Sequence, residues 1–98
     1  MSNFSEQASI LQSLIRKQKC RMNNTELKKR ITFLLCDDNA NYYKKELEKL
    51  SIIFNICEGL LISQKYQRTL YYLCLIQKKI DRLYKRVNQD FGVIQKKM

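Results

Sequence analysis

Apolar residues recur along this chain at intervals of three, four and seven, the spacing that keeps one face of a helix in a core. Phe4, Ala8, Leu11, Ile15 and Met22 form the first such series, with Ile10 and Leu14 widening its stripe and Ser5 placed to cap it. The run "MNNTELKK" interrupts the pattern, and Asn24 or Thr25 caps a shorter second helix lined by Leu27, Ile31, Leu34 and Leu35. Asp37, Asp38 and Asn39 suit the start of a third helix, where Tyr43, Leu47, Leu50, Phe54, Cys57 and Leu61 repeat as a heptad. Ile52, Ile53, Ile56 and Leu60 make its second half apolar almost all round, and such a helix must be surrounded. For the fourth helix two starts are open: a cap at Ser63, or continuation of helix three through a kink at Gly59. Its stripe is Tyr66, Leu70, Leu73, Ile80, Tyr84 and Val87, with Ile76 and Leu83 beside it and Gln77 as a polar member. The boundaries read as helices over about 5–22, 25–36, 39–62 and 63–88, with a tail over 89–98.

With 98 residues the chain is one domain, and a second core is excluded. Proline is absent and glycine occurs only as Gly59 and Gly92, so the tight turns of an all-β fold have little to be made from. The expected architecture is all-α, a small three- or four-helix bundle with short connections.

The four cysteines lie far apart and no histidine is present, so Cys20, Cys36, Cys57 and Cys74 read as small buried hydrophobes in a reducing, intracellular setting rather than zinc ligands. The N-terminus lacks the basic start and cleavage site of a secretory signal. Its serines ahead of Arg16 and Lys17 also fit a mitochondrial presequence, although a folded helix accounts for them equally well. The longest apolar stretch, Leu50–Ile62, is broken by Asn55, Glu58 and Gly59 and is too short to span a bilayer, so a soluble chain is expected.

Charge changes this picture from a bundle to a bundle with a partner. Nineteen Lys and Arg against nine Asp and Glu give a formal +10, an excess usually relieved by a polyanion. It is uneven: residues 16–30 carry +6 and residues 64–98 carry +7, whereas residues 31–63 carry −2. On a helical projection of the last segment, Lys78 and Lys85 take one flank of the face opposite the core. Arg68, Arg82 and Arg86 take its back, and Lys65 and Lys79 its other flank. Tyr71, Tyr72 and Leu75 fall inside this arc. Cations interleaved with aromatic rings suit RNA or single-stranded nucleic acid, because phosphates pair with the cations and bases stack on the rings. Arg16, Lys17, Lys19 and Arg21 form the second basic zone and extend the candidate surface.

Four other readings compete. A charged outer face is often merely solvated, but this one has Asp81 as its lone acid where an ordinary face interleaves both signs. A membrane surface would require bulky apolar residues beside the cations, and Leu75 alone supplies one. Tyr71, Tyr72 and Leu75 also fit a subunit interface, in a structural helical subunit whose third helix meets partner helices and whose basic faces meet acidic proteins. DNA binding is a weaker possibility, with no helix-turn-helix legible in these turns. Without histidine, paired carboxylates on a core face or a glycine-rich phosphate loop, the chain offers no nucleophile with an activating base, and no cofactor is implied.

The run "LLISQKYQRTLYYLCLIQKKIDRLYKR" resembles the N-terminal helical domain of the nucleolus and neural progenitor protein family, which includes a fungal protein subunit of RNase MRP. Leu60 and Leu61 correspond to its apolar lead and Lys65, Gln67 and Arg68 to its polar segment. Tyr71 or Tyr72 stands for its aromatic residue, and Leu73, Ile76, Lys78, Lys79 and Leu83 for its closing pattern. The resemblance covers about thirty of the 98 residues, and the histidine often seen beside the arginine in that family is missing. It implies a non-catalytic, nuclear or nucleolar subunit that contacts the RNA of an RNA-processing ribonucleoprotein and its other protein subunits.

Overall fold

The structure, a computed structural model, describes the backbone of residues 3–36 and 40–97 and the side chains of residues 6–36 and 40–96. Among the described residues there are four helices and no strand: α1 (Asn3–Met22), α2 (Thr25–Leu34), α3 (Ala40–Ile62) and α4 (Tyr66–Lys97). They form an elongated all-α bundle of 60 × 19 × 16 Å. α1 begins at Asn3, so Ser5 lies in its first turn and not at its cap, and the side chain of Phe4 is outside the described residues. Asn24, rather than Thr25, caps α2, its side-chain oxygen accepting the Leu27 N–H at 3.0 Å. The expected caps Asp37, Asp38 and Asn39 lie outside the described residues.

Four helices make only three arms. Arg21 of α1 reaches Asp81 of α4, Arg30 of α2 reaches Asn88, and Phe33 packs edge-on against Phe91, so α1 and α2 follow one another along α4 in the same direction. α3 runs opposite to both, with Tyr43 near its start hydrogen-bonded to Asp90 near the end of α4, while Lys19 pairs with Glu58. α1 and α2 thus behave as one arm broken at Asn23–Asn24, and α4 runs unbroken past that point for about 48 Å of the 60 Å bundle.

The seam is a heptad in every arm. α3 buries Tyr43, Leu50, Phe54 and Cys57 as expected, and α1 with α2 contributes Leu11, Ile15, Leu27, Ile31 and Leu34. α4 buries Leu73, Ile76, Ile80, Leu83 and Val87, together with Thr69, at alternating spacings of four and three. The only polar link in that series satisfies itself locally. The Thr69 hydroxyl donates to the Lys65 carbonyl at 2.8 Å, and the Cys57 thiol donates to the Thr69 carbonyl at 3.5 Å. Burial, reinforced by the neighbouring Glu58 carboxylate, pushes the Cys57 thiol up to about 11. Cys57 is buried as expected, but Cys20, Cys36 and Cys74 are exposed, because each lies off the seam of its helix.

The seam of α4 is rotated by about 50° from the expected stripe, half a residue step on the helix. Leu70 is 49% exposed and Gln77 is at the surface, whereas Thr69 is fully buried. Tyr66 and Tyr84 cause the discrepancy: both sit at the margin of the core, where the Tyr84 hydroxyl reaches out to donate to the Arg21 carbonyl at 2.6 Å. Tyrosine is amphipathic and marks an edge as readily as a centre.

Helices three and four are separate. Ser63 does not cap α4, and Gly59 lies inside α3 without breaking it. Gln64 adopts φ 62°, the Lys65 N–H donates to the Leu60 carbonyl at 2.9 Å and the Gln64 N–H to the Leu61 carbonyl at 3.0 Å. These paired bonds are the Schellman closure of a helix, whose left-handed position normally holds glycine because a Cβ there crowds the carbonyl. Gln64→Gly is therefore expected to raise unfolding free energy by about 1 kcal/mol, less the backbone entropy that glycine adds to the unfolded chain. Urea melts of the two proteins measure it, and an unchanged or lower midpoint would contradict the strained-turn account.

The expected tail does not exist as one, for residues 89–97 continue α4 by more than two turns. The polar run Asn88, Gln89 and Asp90 looks like a stop locally, but distant partners hold it in the helix. Asp90 accepts from Tyr43 and from Arg86, Asn88 accepts from Arg30 at 2.6 Å, and Phe91 packs on Phe33. Burial first, and then Asp90, hold the Tyr43 phenol well above its ordinary range.

Candidate nucleic-acid interface

Because α4 is gripped by α1 and α2 on one margin and by α3 on the other, the arc of α4 opposite its seam is left to solvent. Arg68, Tyr71, Lys78, Arg82 and Lys85 are exposed on that arc. Lys78, Arg82 and Lys85 are spaced by four and three residues, so they stack as consecutive turns of a ridge. Lys96 follows Lys85 by 11 residues, three full turns, and continues the same line, which gives a ridge of about 42 Å from Arg68. Sequence reasoning missed Lys96, since residues 89–98 read as a tail; the 11-residue spacing was the available signal.

Both acids of α4 are drawn away from this ridge. Asp81 turns to Arg21 of α1 at 2.6 Å, and Asp90 turns to Tyr43 and Arg86. Among the described residues no carboxylate lies within ion-pair distance of Lys65, Arg68, Lys78, Lys79, Arg82 or Lys85. No acid stands in the first turn of α4, so Lys65 and Arg68 add to the positive end of its helix dipole. Among the described residues nothing compensates the self-repulsion along the ridge, and an external anion would lower it.

The remaining candidates divide by what they touch. Arg86 leaves the ridge: its guanidinium lies 4.8 Å from the centroid of the Tyr42 ring and donates to Asp90 at 3.0 Å, so it joins α4 to α3. Arg21 stacks on Tyr84 and pairs with Asp81, and Lys19 pairs with Glu58 at 2.6 Å, so both fasten helices together. Of the first basic zone Arg16 and Lys17 carry no ion pair among the described residues. Lys17 precedes Arg21 by one turn and thus lies near the level of Gln77 on α4, whereas Arg16 opens on the side of α1 that faces α3. Lys79 and Tyr72 are half-buried because the rotated seam carries them toward α3. Leu75, expected at the surface, is half-buried for the same reason.

Between Arg68 and Lys78 the ridge has no charge; Tyr71 occupies this window at 65% exposure. Its ring meets Tyr72 edge-on at 5.4 Å, and Tyr72 packs against the core. An exposed ring buttressed by a half-buried one is a stiff platform with one face free for stacking.

The other surface features offer less chemistry. Among the described residues no cluster of three or more His, Cys, Asp or Glu could hold a metal ion, and no helix is long and apolar enough to cross a membrane. A hollow of ≈ 400 Å³ is open and lined mainly by Met22, Asn23, Lys28, Ile31, Leu35 and Leu47, and the Thr32 hydroxyl at its wall is taken up by the Lys28 carbonyl. No protein-family model, curated protein or solved structure matches this chain.

Proposed function

We propose that this protein is a non-catalytic RNA-binding subunit of an RNA-processing ribonucleoprotein, and that it grips the RNA backbone with the outer ridge of α4. One observation carries the reading: Arg68, Lys78, Arg82, Lys85 and Lys96 share one solvent-facing arc of α4, about 100° wide, from which both acids of the helix are withdrawn. Five cations along about 42 Å of rigid helix match an extended polyanion better than a compact anionic ligand. Tyr71, in the uncharged window, supplies stacking for an unpaired base, which favours single-stranded or looped RNA over a regular duplex. A nuclear or nucleolar location accords with this role. A membrane fits less well, because beside these cations the bulky aliphatic surface is small: Leu75 is half-buried and Val93 is 53% exposed.

The experiment is fluorescence anisotropy with a labelled single-stranded RNA at a series of salt concentrations. Each phosphate contact contributes about −0.7 to the slope of log K against log salt, so a slope of about −3 is expected for a ridge of this size. A slope near zero would remove the ridge as the binding surface.

A further inference from the structure

Two apolar surfaces of the bundle stay open. The second half of α3 is not surrounded, contrary to what its composition led us to expect, and Ile52 and Ile56 are exposed on its outer face. That face is convex and carries Lys45 and Lys49, so it encloses nothing. The other surface is concave. Where α1 and α4 run side by side, Gln7, Ile10, Leu14, Gln67 and Leu70 line a hollow of ≈ 270 Å³, and Ile10, Leu14 and Leu70 are exposed in its walls.

Register builds this hollow. Arg21 of α1 meets Asp81 of α4 at an offset of 60 residues, and in two parallel helices the same offset sets Gln7 level with Gln67 and Ile10 level with Leu70. Each helix thus supplies an amide and, three residues on, an aliphatic side chain on the same face. Among the described residues neither amide has a side-chain hydrogen-bond partner.

We infer that the hollow is a nucleobase site, in which an unpaired base of the RNA on the α4 ridge seats between Ile10 and Leu70 with its edge on the Gln7 and Gln67 amides; this rests on the RNA reading. Place is the first reason. The hollow opens along the window between Arg68 and Lys78, about 15 Å without charge, so a strand gripped at both ends passes its mouth. Tyr71 stands in the same window and takes a neighbouring base. Charge is the second reason. Among the described residues no charged side chain lines the hollow, whereas Lys17 and Lys78, exposed and without ion pairs, flank its end nearer Arg21. A neutral interior beside cations suits a neutral ring carried on an anionic backbone, and the same cations repel a second copy of this +10 chain. Glu6, next to Gln7 at the other end, likewise disfavours an anion inside.

Shape and chemistry agree. A base is a flat ring with donors and acceptors on its edge, and a glutamine amide offers a donor beside an acceptor. At ≈ 270 Å³ the hollow lies just below the range of drug-sized pockets, which suits one ring system. From Gln7 to Leu14 it runs about 10 Å, and the Arg21–Asp81 pair crosses from α1 to α4 beyond it, closing the groove to the longer apolar helix of a protein partner.

Anisotropy with two labelled strands of equal length and charge tests the site: a short oligouridylate, and the same phosphate backbone carrying abasic sugars. Both should bind with the same salt slope, because phosphates set it. To the Tyr71→Ala protein, which lacks the stacking platform, oligouridylate should still bind about tenfold more tightly than the abasic strand. Adding Ile10→Ala and Leu70→Ala should abolish that difference while the abasic strand's affinity and the helical circular dichroism stay where they were, since both positions are exposed. Adding Gln7→Leu and Gln67→Leu instead, which keeps bulk and removes the amides, should cut the difference to about threefold. Equal affinity of the two strands for Tyr71→Ala, or a difference that survives the Ile10 and Leu70 changes, overturns the nucleobase site, leaves the ridge standing and turns attention to an apolar segment of a protein partner. Loss of salt-dependent binding for both strands would remove the ridge and the base site together.

Discussion

Replacing Lys78, Arg82 and Lys85 together by glutamate is expected to weaken RNA binding on the order of 100-fold, while thermal unfolding moves little. The three side chains are exposed and, among the described residues, carry no ion pair, so their reversal breaks nothing internal. The loss arises because three phosphate contacts become three repulsions, and the salt slope should fall by about 2 in the same titration. Arg86 and Arg21 would be misleading probes. Each is tied to a carboxylate and stacked on a tyrosine, so reversing either loosens the bundle along with any ligand. Unchanged affinity in the triple variant, measured by anisotropy with circular dichroism as the folding control, would move binding off α4.

Ile80→Ala is expected to cost about 3–4 kcal/mol of unfolding free energy, the largest effect of a single conservative change in this chain. Ile80 is fully buried at the middle of the α4 seam, between Ile76 and Leu83, where both other arms converge. Truncation removes its transfer free energy and leaves a cavity that rigid helices on either side cannot fill. A 98-residue domain holds about 5–15 kcal/mol in total, so the midpoint of thermal unfolding should fall by roughly 15 °C. Leu70→Ala, one seam-width away at an exposed position, should change stability by less than about 1 kcal/mol. Equal losses at the two sites in calorimetry would mean that the rotation of the seam is wrong.

Periodicity was enough for the existence of all four helices and the seam of α3, and it narrowed the cap of α2 to Asn24 or Thr25, since these are properties of neighbours in sequence. What it could not supply depends on partners about 40 to 60 residues away. Asp90 belongs to a helix because Tyr43 reaches it, and Arg21 fastens rather than binds because Asp81 lies beside it. No local pattern encodes either fact. The rotation of α4 escaped notice for another reason: Tyr66 and Tyr84 scored as core, when each buries a ring at the margin. That error mattered little for the candidate surface, since Lys78, Arg82 and Lys85 stay outside under either rotation. It decided the fate of Lys79 and Tyr72, which the true seam draws toward α3.

The break at Asn23–Asn24 interrupts one arm of the bundle, yet α4 passes it without interruption. α4 therefore acts as a splint: bending at the break would have to bend 32 consecutively hydrogen-bonded residues as well. The distances between cations on its outer line are consequently fixed like marks on a ruler, and a strand that touches both ends must conform in length to the protein, not the protein to the strand.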